Sequence, residues 1–440
     1  MIGRKSKIQS SDMVRDSVNT FGTNLFGSVL SLISIFLILH SMDPCDLGYQ
    51  TQMQLWGGGF STVLGLSVTS AAVYFVARYT IKNARAAVVR LTLWISVSIV
   101  VVAAATFLLM RGTSFFHTTP ASFLIATVLY AFCSFLFNIC TFVLRGENKF
   151  KSYNLVILIQ RILAFLVAVA VFLHPSAALY VWATVALNVL MIAVAFWAIG
   201  RWNGPKPVPA PEDDRPVGTG EMVSYSLRSH VSNVLSYLNT NLGFYIVQGI
   251  YTIGNYSIYS EANTAMQQIW LLPDAVSQVI LSRLSAMKDM RSKLKITLLS
   301  CKLMTYLTTL GTLLLLWAAQ VFIPILFPKY IGCIPLMRYL ALGYVIMSYV
   351  KILGNSIAAY GRPELNIAPT AVGVATNIGF TLLLLPRTGL YGMATASTIS
   401  MSLQSICCMV IFCSFTHTRP HRLLIPNQEE IASVRGLFKR

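Results

Sequence analysis

The sequence predicts an all-α polytopic membrane protein: twelve transmembrane helices forming two six-helix lobes, related by a pseudo-two-fold axis along the membrane normal. Three observations carry that expectation. Apolar runs of about 20 residues, enough to cross a bilayer core, recur throughout the chain. Residues are 55% hydrophobic and only 11% charged, where a soluble domain carries about 25% charged residues. Basic clusters fall in alternate connections, and one proline-rich stretch divides the runs into six and six.

Span 1, residues 18–40, follows a polar, basic N-terminus and is as long as a true span, so no cleavable signal peptide is expected. Spans 2 to 6 cover 55–77, 91–110, 121–144, 153–173 and 177–200. The segment RWNGPKPVPAPEDDRPVGTG from Arg201 is rich in prolines and acids, the composition of an extended, solvated linker. Spans 7 to 12 cover 222–248, 256–284, 296–326, 335–360, 367–385 and 389–415. The expected domains are a lobe over 1–200, a cytoplasmic linker over 201–221, a second lobe over 222–416 and a basic cytoplasmic tail over 417–440.

Charge sets the orientation. Arg4 to Arg15, Arg78 to Arg90, Arg145 to Lys151, Arg201 to Arg215, Arg283 to Lys295, Arg362 and the tail all fall on one side. The opposite loops hold only Arg111, Lys329 and Arg387. Positive-inside asymmetry therefore puts both termini in the cytoplasm. The net charge of +18 is this topology signal plus contact with anionic headgroups. It does not form the exposed stripe that nucleic acid requires, so no nucleic-acid partner is expected. Cys133, Cys140, Cys301, Cys407, Cys408 and Cys413 lie in apolar runs as small core residues, and Cys45 and Cys333 fall in outer loops. No metal-ligand spacing and no phosphate-binding loop occur, so neither a metal nor a cofactor is expected.

Span 7, EMVSYSLRSHVSNVLSYLNTNLGFYIVQ, is long enough to cross but too polar to face lipid. Ser229, Asn233, Ser236 and Thr240 recur at helical spacing as one stripe, and the same helix also carries Arg228, His230, Asn239 and Asn241. Such a stripe must face protein or a wet cavity. Span 1 carries a weaker echo in Thr20, Asn24, Ser28 and Ser31.

The two halves echo one another. DLGYQ from Asp46 matches IGNYS from Ile253, RGENKFKSYN from Arg145 matches YGRPELNIA from Tyr360, and ALYVWATVAL from Ala178 matches GLYGMATAST from Gly389. Six spans per half give both halves the same orientation, which fits a parallel repeat. The layout, the glycine–tyrosine turns expected at Gly48 and Gly254, the YGRPELN string and the YGMATA string resemble the multidrug/oligosaccharidyl-lipid/polysaccharide exporter superfamily. Within it the chain looks most like the polysaccharide-transport branch of Wzx-like O-antigen and capsule flippases. The resemblance runs from about Arg15 to Phe415. It implies a central cavity, alternating access, a lipid-linked oligosaccharide as cargo and a monomer. It also implies a bacterial inner-membrane location, with a polysaccharide polymerase and chain-length proteins as partners.

Ionisable residues inside spans cost about 2.5–3.5 kcal/mol each on insertion scales and so mark function. They are Arg161, Arg228, Lys302, Arg338, Lys351, Glu261 and Asp274. Lys302 and Arg338 lie near helix ends, where a long side chain also reaches the headgroups. Arg161, Arg228 and Lys351 are deeper and toward the cytoplasm. Asp274 follows Pro273, which permits a kink; the acid either pairs with a cation or binds a coupling ion. Glu261 is either solvated or a second coupling-ion site.

The expected cargo contacts are Arg228, Lys351, Arg161 and Lys302 for a diphosphate, with Asn24, Asn233, Asn239 and Asn241 for sugar hydroxyls. The expected activity is translocation of a polyprenyl diphosphate-linked oligosaccharide from the cytoplasmic to the periplasmic leaflet. A cation-coupled multidrug exporter is the alternative, and a membrane polymerase or transferase a more distant one. The longest outer loop, about Ser41 to Gln54, holds only Asp43 and Asp46 as charged groups, which disfavours an enzyme.

Overall fold

The computed structural model describes residues 22–23, 26–147, 149–201, 215–287 and 289–424. The basic N-terminus, Asn24, most of the proline-rich linker, Lys288 and the tail beyond residue 424 lie outside the described residues, and Arg228 is described in its backbone only.

The described residues are helical almost throughout. In order they form α1 (Phe26–Ser41), α2 (Pro44–Leu64), α3 (Val68–Met110), α4 (Ala121–Gly146), α5 (Phe150–Leu173), α6 (Ala177–Arg201) and α7 (Thr219–Ile250). Then come α8 (Ile253–Gln267), α9 (Leu271–Ala286), α10 (Met290–Leu326), α11 (Cys333–Ala359), α12 (Ile367–Thr388), α13 (Leu390–Thr416) and the short α14 (His421–Leu424). Among the described residues, 8 helices are long and apolar enough to cross a membrane, or up to 9 when α2 and the start of α3 count as one bent span. The protein is a multi-pass, all-helical membrane protein.

The described residues fall into two compact units. The first holds the chain up to Tyr237 and again Gln248–Ser257; the second holds Leu238–Val247 and everything from Ile258 onward. Each has its own apolar core. In the first, Phe75, Ile95, Ile99, Phe135 and Met222 pack together. In the second, Leu284, Cys301, Ile352, Leu353 and Phe412 do so.

Several expectations need correction. The loop expected over 41–54 is mostly helix, because α2 starts at Pro44. Two of its polar residues find partners elsewhere in the first unit: Gln50 donates to Thr184 at 3.1 Å, and Gln52 donates to the Phe115 carbonyl at 3.0 Å. The connection expected over 78–90 is likewise helical, within α3. Gly48 and Gly254 are not turn residues; they sit in α2 and α8. A Cβ on Gly48 would stand 2.5 Å from the Ile253 carbonyl oxygen, and one on Gly254 would stand 3.0 Å from the Cys45 sulfur. The two glycines let the first turns of α2 and α8 touch, so the paired motifs mark a close helix contact. Cys45 and Cys333 open helices instead of lying in loops, and both are free thiols.

The glycines at Gly361 and Gly389 do turn the chain, with φ of 83° and 64°. The first ends α11 and the second separates α12 from α13, both in a backbone region that favours glycine.

Two spans are broken. The expected span 2 bends by 56° between α2 and α3, where Leu66 and Ser67 both hold positive φ, 47° and 53°. The expected span 8 is interrupted by a 3-10 turn, Gln268–Trp270, between α8 and α9. Pro273 then sits at the third position of α9, where a missing N–H costs nothing.

Candidate functional site

Spans 2 and 8 hold the same place in the two halves, second of six. Interrupted helices in corresponding positions are the best pointer to a transporter's binding site. The second break lies beside a hollow, built entirely within the second unit.

The hollow has a volume of about 140 Å³. α7 contributes Asn239, Thr240, Gly243 and Phe244; α13 contributes Ser397, Ser400, Met401 and Gln404. Their spacing puts each set on one helix face. The Asn239 amide donates to Gln404 Oε1 at 3.0 Å, and the Ser400 hydroxyl donates to the Gly373 carbonyl at 2.6 Å. Gly373 makes room for that amide pair: a Cβ there would lie 2.6 Å from Gln404 Oε1 and 2.7 Å from Asn239 Oδ1.

The opposite wall runs through α8 and α11. Tyr259 Oη lies 3.3 Å from Ser397 Oγ, and the Asn263 amide donates to the Tyr259 carbonyl at 2.9 Å. Tyr344 donates to Asn263 Oδ1 at 3.2 Å, and the Trp270 indole N–H donates to the Tyr344 carbonyl at 2.9 Å. The Trp270 and Tyr344 rings sit with centroids 4.5 Å apart. These walls offer amides, hydroxyls and aromatic faces, a set suited to sugar hydroxyls and ring C–H surfaces.

Lys351 is the one charged residue among those lining this hollow. Its Nζ lies 2.8 Å from Asp274 Oδ1 and 3.1 Å from Oδ2. It also sits 4.4 Å above the Trp270 ring, a cation–π contact. A second, open hollow of about 370 Å³ lies on the other side of the pair, where Asp274, Ser277, Gly354, Asn355 and Asn366 join Lys351. It lies toward the Arg362 end of α11. The ion pair thus stands between an enclosed hollow and an open one.

The other expected site residues are placed as follows. Asn239 and Lys351 meet at the enclosed hollow, and Asp274 at the open one. Asn241 is half-buried in α7, in the second unit, and is not among the residues lining either hollow. Asn233 belongs to the first unit and donates to Ser67 Oγ at 2.8 Å, at the first break. His230 joins the same group, 3.3 Å from Ser67 Oγ. Arg161 is exposed; it lies over Gly27 of α1 and donates to Ser31 Oγ at 3.2 Å. Lys302 is 5% exposed within α10 and lines neither hollow. Glu261 is half-buried in α8, also away from both. Asn24 and the Arg228 side chain lie outside what the structure describes.

Sequence reasoning missed Trp270, Tyr344, Asn263, Asn377 and Gln404. One signal was available. Ser397, Ser400 and Gln404 recur at helical spacing in an apolar span, as the α7 stripe does.

Comparison with known proteins places the fold. The lipid II flippase MurJ in an inward closed conformation superposes with a TM-score of 0.71 at 14% identity, over 93% of this chain and 89% of that one. A multidrug resistance MATE family transporter of the MOP superfamily, inward-facing, gives 0.68 at 15% identity, over 92% and 98%. A MOP superfamily transporter from Pyrococcus furiosus, described as having a binding pocket of reversed polarity, gives 0.56 at 14% identity, over 93% and 95%. An uncharacterized membrane protein of Methanocaldococcus jannaschii is 31% identical over 83 residues, a stretch spanning 19% of this chain and 16% of that protein. The fold is therefore that of the superfamily the motifs pointed to. The sequence model of the polysaccharide biosynthesis protein family matches residues 82–335, more than half of the chain, and the chain belongs to that family.

Proposed function

We propose that the protein carries a lipid-linked oligosaccharide, joined to its lipid through a diphosphate, from the cytoplasmic to the periplasmic leaflet for O-antigen, capsule or exopolysaccharide synthesis. The observation that carries this reading is the second unit's enclosed hollow: neutral amides, hydroxyls and aromatic faces inside, with one lysine at its open end. At about 140 Å³ it is smaller than the roughly 300–1,000 Å³ pockets that enclose whole small ligands. It fits one polar end of a cargo whose lipid stays in the bilayer. Lys351 meets the phosphate and Asn239 with its neighbours meets the sugar. Alternating access supplies the crossing, and the membrane itself holds the tail.

The test is a protection assay in proteoliposomes with a fluorescently labelled polyprenyl diphosphate oligosaccharide. The wild-type protein is expected to move label between leaflets faster than protein-free vesicles. Equal rates would overturn the reading. A multidrug exporter is the second reading, favoured by one observation: the Asp274 side chain is 45% exposed, open enough to meet an organic cation. Efflux of a cationic dye, with no effect on labelled oligosaccharide, would favour it.

A further inference from the structure

The ion pair between the two hollows has an unusual construction. Each member is held by something besides its partner, and one of them is easy to release. Lys351 rests on the Trp270 ring and its side chain is 25% exposed, whereas the Asp274 side chain is 45% exposed. Asp274 lies in the first turn of α9. A carboxylate there, when freed, faces water on one side and the positive end of a helix on the other. Lys351 has no comparable refuge, since the other residues lining the two hollows are all neutral. Leaving the pair therefore costs the acid little and the lysine much.

Resting on the transport reading above, we infer that Asp274 is a built-in stand-in for the cargo's phosphate. It holds Lys351 in the empty protein and yields that place when a phosphoryl oxygen arrives from the open hollow. Both ligands present oxygen acceptors to the same ammonium, and a diphosphate brings more charge than one carboxylate. The exchange also has a mechanical end. Asp274 sits four residues beyond the 3-10 turn, and the turn's Trp270 is the ring beneath Lys351. Freeing Asp274 releases the first turn of α9 from α11, while farther along α9 Leu284 stays in the core with Ile352 and Leu353, and Trp270 stays hydrogen-bonded to α11 through the Tyr344 carbonyl. The cargo's charge is thereby read out as a loosening of the broken span. Asp274 also selects: a neutral sugar brings no charge with which to displace it.

The experiment uses the full-length protein in nanodiscs with geranylgeranyl diphosphate as probe, read by calorimetry. A self-ligand reduces apparent affinity by the fraction of time it occupies the site. Asp274→Asn is therefore expected to tighten probe binding roughly three- to tenfold. Asp274→Ser is measured beside it, so that the comparison does not rest on one variant's folding. Lys351→Gln is expected to weaken binding, and adding Asp274→Asn to it to change nothing further. Hydrogen exchange over residues 268–275 should rise on adding probe to the wild-type protein and be high beforehand in Asp274→Asn. Equal affinity of the wild type and both Asp274 variants would overturn the stand-in role while leaving the transport reading in place. No binding of the probe by any of these proteins, all monodisperse, would overturn the transport reading and the stand-in role with it.

Discussion

The two broken spans answer the same problem in opposite ways. At the first, between α2 and α3, Leu66 and Ser67 hold a left-handed backbone that costs non-glycine residues about 1–3 kcal/mol. Neutral groups hold it: Asn233 donates to Ser67, and His230 stands beside the same hydroxyl. At the second, between α8 and α9, described φ values outside glycine are ordinary, and the break is spanned by charge, Asp274 on Lys351 over Trp270. A strained break fastened by neutral hydrogen bonds is a fixed bend. An unstrained break fastened by an exposed ion pair is one that a charged ligand can undo. The difference teaches where to look for the moving part, and the hollow lies beside the second.

The sharpest way to break this comparison is Lys351→Gln. It removes a charge-assisted contact worth about 1.5–3 kcal/mol, on the order of 10- to 100-fold in transport, read as leaflet exchange in proteoliposomes. Unchanged transport would make the second break as inert as the first.

Next in size is Gly48→Ala. Its Cβ would meet a backbone carbonyl that cannot move aside cheaply, and overpacking of this kind costs about 1–3 kcal/mol. Thermal unfolding in detergent should show the loss, and both broken spans should loosen, since α2 and α8 touch there.

Ser67→Ala should cost about 1 kcal/mol, one hydrogen bond's net worth, with geranylgeranyl diphosphate binding unchanged. A drop in binding matching that of Lys351→Gln would erase the distinction between the two breaks.

The smallest effect is expected at Asp289, outside both breaks, where the carboxylate caps α10 by accepting from the backbone N–H groups of Arg291 and Ser292. Hydrogen bonds from Ser292, first its hydroxyl and then its N–H, hold the Asp289 carboxyl below the ordinary aspartate value. A lowered folded-state value means the cap's contribution is complete above the ordinary aspartate range and fades as pH falls through the lowered value. Asp289→Asn should flatten the melting temperature in that acid window alone.

Much of this architecture is legible in the residues. Apolar runs and alternating basic loops locate the spans, because lipid and membrane charge impose rules that act on each segment separately. What is not legible depends on partners distant in sequence. Gln50 and Gln52 make α2 look like a loop, since only the folded unit shows that Thr184 and the Phe115 carbonyl accept from them. Gly48 and Gly254 read as turns because a glycine that admits another helix has the same symbol as one that bends the chain. The polar stripe of α7 is visible, yet it divides: Asn233 serves the first break and Thr240 lines the hollow. Asp274 and Lys351 are each conspicuous as intramembrane charges, but 77 positions separate them. Trp270 and Tyr344, ordinary apolar residues by composition, gain their role only by stacking.

The ion pair also bears on voltage. Closed, it carries no net charge, so the membrane potential exerts no net pull on it. A diphosphate that opens it brings negative charge to the same place, and each such charge is worth about 2.3 kcal/mol per 100 mV when it moves outward from a negative interior. On the proposed function, the empty site is thus blind to the electrical gradient and the loaded one feels it, which would favour one direction of travel.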